Sequence, residues 1–203
     1  MATNDAYRNF LAFNYSGNFS LNATHDANVF AETNVTALDT DSALNYYLTS
    51  GIPSSNISLG VPLFGKSFEN TAGLAQPFNG VGPGGPQPLG NGSVAGEWLY
   101  NSLPRAGAST FYDDTAQASY TYDPSTLELI SYDNQQAGAF KAQYAVSRAL
   151  GGTIFLEARG DQPAYSNGSL IGTVRNGLVN LATTINNLNY PTSQYDNIRT
   201  GNP

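Results

Sequence analysis

Ile57-Ser58-Leu59-Gly60-Val61-Pro62-Leu63-Phe64 is the stretch from which the architecture can be read, because what flanks it on either side repeats its pattern. It reads as a strand of apolar residues closed by turn signals. Upstream, Asp39 or Thr40 can cap a helix whose Leu44, Tyr47 and Leu48 share one face, with Gly51 and Pro53 as stop signals. Further upstream, residues 7–15 are rich in Leu and aromatics with little alternation, as in a strand buried on both faces. Downstream, a helix carrying Ala137, Phe140 and Tyr144 at sheet-packing spacing runs through Gly151-Gly152 into a further strand at residues 153–157. Strand, helix, strand, then helix, strand, helix implies parallel βα units.

About 65 residues separate the second strand from the next helix, too many for a simple crossover, and they include the Gly/Pro-rich stretch 80–92. Within them, residues 108–112, 118–122 and 127–132 read as antiparallel strands with turns at Asp113-Asp114 and Asp123-Pro124. A small α+β insertion is the economical reading. The last helix is expected to carry Ile171, Val174, Leu178, Leu181, Ile185 and Leu188 as an apolar stripe against the chain's own sheet, with Gly172 and Gly177 weakening it.

Composition bounds the function. The chain has 203 residues, 40% of them hydrophobic and only 11% charged, which suits a folded domain with a real core. Its net charge is −7 with no basic cluster, so phosphate-driven nucleic-acid binding is not expected. No apolar run is long enough to span a membrane, and no leader is visible behind Met1. Without cysteine, disulfides, thiolate nucleophiles and thiolate metal sites are excluded. Seven Asn-x-Ser/Thr sequons, at Asn14, Asn18, Asn22, Asn34, Asn56, Asn91 and Asn167, would suit a secreted glycoprotein.

The order of AYRNFLAFNYSGNF (6–19), SLGVPLFGKSF (58–68), SYDNQQAGAFKAQYAVSRALGG (131–152) and TIFLEARGD (153–161), followed by SLIGTVRNGL and the tail NYPTSQYDNIRTGN, resembles the fungal chitinases of glycoside hydrolase family 18. The resemblance covers nearly the whole chain. It implies an α/β fold: a partial (β/α)8 barrel, strands six to eight with their helices, carrying an α+β chitinase insertion domain. The expected division is residues 1–66, the insertion at 67–131, and residues 132–203. The family's catalytic Asp-x-x-Asp-x-Asp-x-Glu strand is expected upstream of all the quoted segments. Asp39-Thr40-Asp41 mimics part of it, but Leu44 stands where the Glu would have to be, and helix capping accounts for the aspartates.

The resemblance also implies supporting positions, several of them altered. The family's sixth-strand Met-x-Tyr-Asp, whose Tyr and Asp help hold the substrate's acetamido group, is Leu11-Ala12-Phe13-Asn14 here. Its seventh-strand Tyr-Gly-Arg is Phe64-Gly65-Lys66, a planar fork replaced by a point charge. The Trp that floors the sugar site is Leu156, and the aromatic of the sixth-strand loop is Phe19. With donors removed and packing kept, the expectation is a non-catalytic, lectin-like protein, with no catalytic residue, binding chitin oligosaccharides or GlcNAc-containing glycans. The alternatives are a fragment or subunit of an active family-18 chitinase, and an interaction protein assembling through an open barrel edge.

The carbohydrate-binding residues expected are Asn14, Tyr15, Phe19, Lys66 and Glu157 at strand ends, and Trp98, Tyr112 and Asp113 from the insertion. Trp98, the single tryptophan, also has an ordinary reading as a core residue, and Asp113-Asp114 as a turn. His25, in THDANVF, matches the family's Gly-His-x-Ala loop and is expected to brace it; a lone His without Cys does not support a metal site. No cofactor is expected. Open sheet edges predict a homo-oligomer, a dimer in the simplest case.

Overall fold

The structure is a computed structural model that describes residues 7–85, 94–179, 181–183, 190–196 and 199. In chain order the elements are β1 (Arg8–Phe10), α1 (Thr40–Thr49), β2 (Ile57–Pro62), β3 (Phe64–Phe68), β4 (Glu97–Leu99), β5 (Ser109–Asp113), β6 (Ala118–Asp123), β7 (Glu128–Tyr132), α2 (Gln135–Ser147), β8 (Gly152–Leu156) and α3 (Leu170–Gly177). They form two sheets. One is parallel, in the order β1-β2-β8, and the other is antiparallel, in the order β4-β3-β7-β6-β5. Among the described residues the parallel sheet has three strands and does not close into a barrel.

The first helix starts at the cap expected from the sequence, and the second at a cap that only the structure identifies. Asp39 accepts a hydrogen bond from the Ser42 amide at 2.7 Å, and Asn134 accepts one from the Ala137 amide at 2.9 Å, each satisfying a free N–H of a first turn. Leu44 of α1 and Tyr144 and Ala145 of α2 then bury with Ile57 and Leu59 of β2, Ala12 and Val29 in one core cluster. Phe140 packs against that cluster, as its spacing predicts.

The expected strand at 7–15 shrinks to Arg8–Phe10. Tyr7 is 70% and Leu11 51% exposed, so the segment is not buried on both faces, and β1 pairs only with β2 among the described strands. Asn14, with φ +62°, then turns the chain out of extended geometry. The strand expected at 57–64 divides in two. Pro62 forms the last rung against Leu156, the Leu63 amide donates to the Leu156 carbonyl at 2.7 Å, and Phe64 opens antiparallel pairing with Leu99. One run of sequence therefore serves both sheets. Val61 and Leu63 bury beside Tyr100, Leu103, Ile130, Tyr132 and Leu170, a core cluster that joins the antiparallel sheet to the parallel one.

The predicted hairpin strands of the inserted segment are present as β5, β6 and β7, with turns at the two Asp-led positions. The last helix is shorter than its stripe. Leu178 leaves helical geometry with ψ 146°, Leu181 is exposed, and Ile185 and Leu188 lie outside the described residues, as does the sequon at Asn91. The reason lies in close packing. A Cβ on Gly177 would stand 2.7 Å from Ala142 Cβ, and one on Gly138 would stand 2.4 Å from Leu170 Cδ1. Gly177, which lets α3 approach α2, also lowers its helix propensity, and α3 ends once Leu178 reaches the core. No described helix is long and apolar enough to cross a membrane.

Candidate functional site

The sheet switch at Leu63 delivers Lys66 to the same place as the loop that follows β1. A pocket of about 360 Å³ is lined there by Asn14, Ser16, Gly17, Asn18, Phe19, Lys66 and Ser67, with Val81 and Val94 to Gly96 on its far side. Phe19 is 69% exposed at the rim, its ring lying against Gly17. Phe13 and Phe64 meet edge to face at 5.6 Å, and the Lys66 ammonium stands 4.9 Å from the Phe64 ring centre. Lys66 also pairs with Glu97 at 2.9 Å across the β3–β4 rung. Cation, amide, hydroxyl and exposed ring on one concave surface are what a hydroxyl-rich, partly apolar ligand needs.

Beside this pocket lies a buried acid. Asp26 is almost wholly buried; its carbonyl accepts from the Tyr15 amide at 3.0 Å, and its own amide donates to Ser131 Oγ at 2.9 Å. Burial pushes its carboxyl up to about 7, against the pull of Lys66 and of the Ser16 and Asn14 amides. Its Oδ2 has no partner among the described residues.

The other residues expected to bind sugar are placed elsewhere. The Tyr15 hydroxyl bonds Thr40 Oγ1 at 3.1 Å, and burial raises it to about 12; its ring lines a separate cleft with Leu21, Glu32 and Thr36. Trp98, half-buried, packs against the core that joins the sheets, and the Arg105 guanidinium covers its ring at 4.0 Å. The Tyr112 hydroxyl donates to Gln117 Oε1 at 2.6 Å within its own hairpin. Glu157, beyond the end of β8, is held by Arg159. Asp161 caps α3, accepting from the Ser169 hydroxyl at 2.6 Å and the Leu170 amide at 2.7 Å. Asn14, Phe19 and Lys66 thus share one pocket, while Tyr15, Trp98, Tyr112, Asp113 and Glu157 do not line it.

Asp113 belongs to a second polar cluster. Its Oδ2 lies 2.9 Å from Nε2 of the fully buried His25, and its Oδ1 accepts from the Thr115 and Ala116 amides at 2.9 and 3.0 Å. Burial lowers the tendency of His25 to ionise, against the pull of Asp113. A hydrogen bond with Asp113, and then burial, push Glu32 up to about 7. Burial alone would raise Asp113, but the bonds from Glu32, the Ala116 amide and His25 outweigh it and hold its carboxyl at about 2. His25 therefore braces its loop as expected, doing so across to the β5–β6 hairpin.

Sequence reasoning missed Glu97, Asp26, Glu32 and Arg105. Only Glu97 left a trace, in the Glu97-Trp98-Leu99 triplet that can pair with Phe64-Gly65-Lys66.

Residues 5–161 match the family described as glycosyl hydrolases family 18. The chain is similar to Endochitinase 1 of Metarhizium robertsii, 44% identical over 95% of this chain and 44% of the relative, and to Chitinase 1 of Aphanocladium album, 41% identical over 96% and 45%. It spans less than half the length of these curated relatives. Among solved structures, Bacillus thuringiensis chitinase ChiA74 aligns with TM-score 0.72 and 25% identity over 85% of this chain and 31% of its own. A Cycas revoluta family GH18 chitinase, solved in complex with allosamidin, aligns with TM-score 0.69 and 24% identity over 84% and 46%.

These matches overturn the expectation of a protein that is not an enzyme. That expectation leaned on the missing Asp-x-x-Asp-x-Asp-x-Glu strand and on Phe for Tyr, Asn for Asp and Lys for Arg, and shape-conserving changes of that kind alter the strength of individual contacts without deciding whether a fold catalyses. Relatives named as endochitinase and chitinase, aligned over nearly the whole chain, point to an enzyme. The chain belongs to glycosyl hydrolase family 18.

Proposed function

We propose that the chain is part of a chitin-hydrolysing enzyme and that its own residues hold the sugar chain while the glycosidic bond is cleaved. The observation that carries this reading is the pocket where Asn14 and Phe19, from the loop after β1, meet Lys66 of β3. Lys66 and the Asn14 amide supply donors for hydroxyl and acetamido oxygens, and the exposed Phe19 ring offers an apolar face to a pyranose. The relatives' names and the solved structures with (GlcNAc)3 and (GlcNAc)4 support GlcNAc oligosaccharides as the ligand class. The parallel sheet then corresponds to strands six to eight of a (β/α)8 barrel, with residues 67–131 as its insertion. Tyr15, Trp98, Tyr112, Asp113 and Glu157 would contribute to a longer cleft around the pocket. Secretion, and assembly through the open edges of β1 and β8, complete the reading.

Calorimetric titration with chitin tetrasaccharide tests the binding part. Lys66→Ala is expected to weaken affinity about tenfold to a hundredfold, the usual worth of a hydrogen bond from a charged donor. Hydrolysis of a chromogenic chitobioside, by the chain or by a polypeptide that contains it, tests the enzyme. No heat with the tetrasaccharide and no hydrolysis would remove the proposal.

A further inference from the structure

His25 is the single histidine of the chain, and folding sets two carboxylates against it, Glu32 from its own loop and Asp113 from a hairpin distant in sequence. One ligand atom each from His25, Glu32 and Asp113 lies within 4.8 Å of the others. Two of these groups are held from behind. The Asp113 carboxylate is fixed through Oδ1 by two amides, and the His25 ring lies against Tyr120 with centroids 5.9 Å apart. The Val29 and Phe30 amides both donate to the Ala116 carbonyl, at 3.0 and 3.1 Å, which ties the loop bearing His25 and Glu32 to the hairpin bearing Asp113. Glu32 Oε2 is buried with no partner among the described residues.

Two acidic groups in contact need a shared proton or a cation between them. Lys66, Arg105, Lys141 and Arg148 are already paired with Glu97, Glu128, Asp133 and Asp41. We propose that His25, Glu32 and Asp113 form a site for a divalent transition-metal cation of the zinc or manganese class, which clamps the loop at residues 25–32 to the β5–β6 hairpin. One imidazole nitrogen with two carboxylate oxygens suits such an ion better than calcium, which takes six or more oxygens. With ligand bonds of roughly 2.0–2.2 Å, donors of a tetrahedral site stand about 3.4 Å apart, so an ion would part His25 and Asp113 slightly from 2.9 Å and draw in by about an ångström any donors that stand as far as 4.8 Å apart. The site keeps open positions for water. The His25 Nδ1 faces no acceptor among the described residues, so modest affinity is expected, because metal-bound imidazoles gain from a bond at the second nitrogen.

The chain suits the test, since with one His and no Cys it offers few competing soft ligands. Thermal unfolding and calorimetry of the untagged chain would be run with Zn2+, Mn2+ and Ca2+ in turn. Zn2+ or Mn2+ is expected to bind and to raise the midpoint by roughly 5 °C or more at a hundredfold excess over the dissociation constant, with Ca2+ giving less. Glu32→Gln and Asp113→Asn, folded by circular dichroism, are expected to lose that shift. Absence of binding by all three ions, or an undiminished shift in both variants, would overturn the site and leave a cluster held by a shared proton. Sugar binding is read separately, so the failure of either proposal does not touch the other.

Discussion

Lys141→Met is expected to cost about 3–5 kcal/mol of folding stability, the usual result of removing one partner of a buried ion pair. Lys141 is 0% exposed, and its ammonium pairs with Asp133, itself almost fully buried at the start of α2. The single change leaves a carboxylate without a counter-charge in the core. Replacing both partners removes the desolvated charges together, so Lys141→Met combined with Asp133→Leu is expected to be more stable than Lys141→Met alone. Urea unfolding of the wild type and the two variants measures both effects, and a double variant no better than the single one would place the cost in packing instead of charge.

The same pair sets a pH dependence. Burial holds the Asp133 carboxyl above its ordinary value, against the pull of Lys141. An acid raised in the folded state takes up its proton more readily there, so its contribution to stability falls as pH rises above the ordinary carboxylate range near about 4. Without Lys141 the pull is gone and that window extends upward. The penalty of Lys141→Met is therefore expected to shrink between about pH 8 and about pH 5, as Asp133 becomes protonated.

Leu63→Ala is expected to cost about 2–5 kcal/mol and to weaken sugar binding along with it. Leu63 is fully buried where the chain passes from β2 to β3, in the cluster that joins the parallel sheet to the antiparallel one. Truncating it opens a cavity at that junction. Because β3 carries Lys66 while Asn14 and Phe19 follow β1, a looser junction separates the donors that line the pocket. Leu44→Ala is the control: it deletes the same atoms from the other core cluster, behind α1, away from the junction. Equal loss of stability with unequal loss of affinity for chitin tetrasaccharide is the expected outcome. Equal loss of both would show that the junction does not position the site.

Local chemistry was legible in the sequence wherever a residue acts on its near neighbours. Asp39 caps its helix, Asp113-Asp114 and Asp123-Pro124 turn their hairpins, and β5, β6 and β7 follow their aromatic and β-branched runs. The parallel pairing of β1, β2 and β8 also follows from alternation of strands with helices. Apolar periodicity reports that a segment is buried, and not against what. It ran past Phe10 at one end and past Gly177 at the other, where exposed Tyr7 and Leu11 and close helix contact set the true limits.

The tertiary structure alone decided the sites. The run at residues 57–64 divides between two sheets because its rungs are supplied by Leu156 on one side and Leu99 on the other, partners far along the chain. Lys66 faces Glu97, Asp26 lies buried beside its pocket, and His25 gains Asp113, for the same reason. Charge pairing and burial act through space between residues brought together by long loops, and no spacing in the sequence encodes that distance.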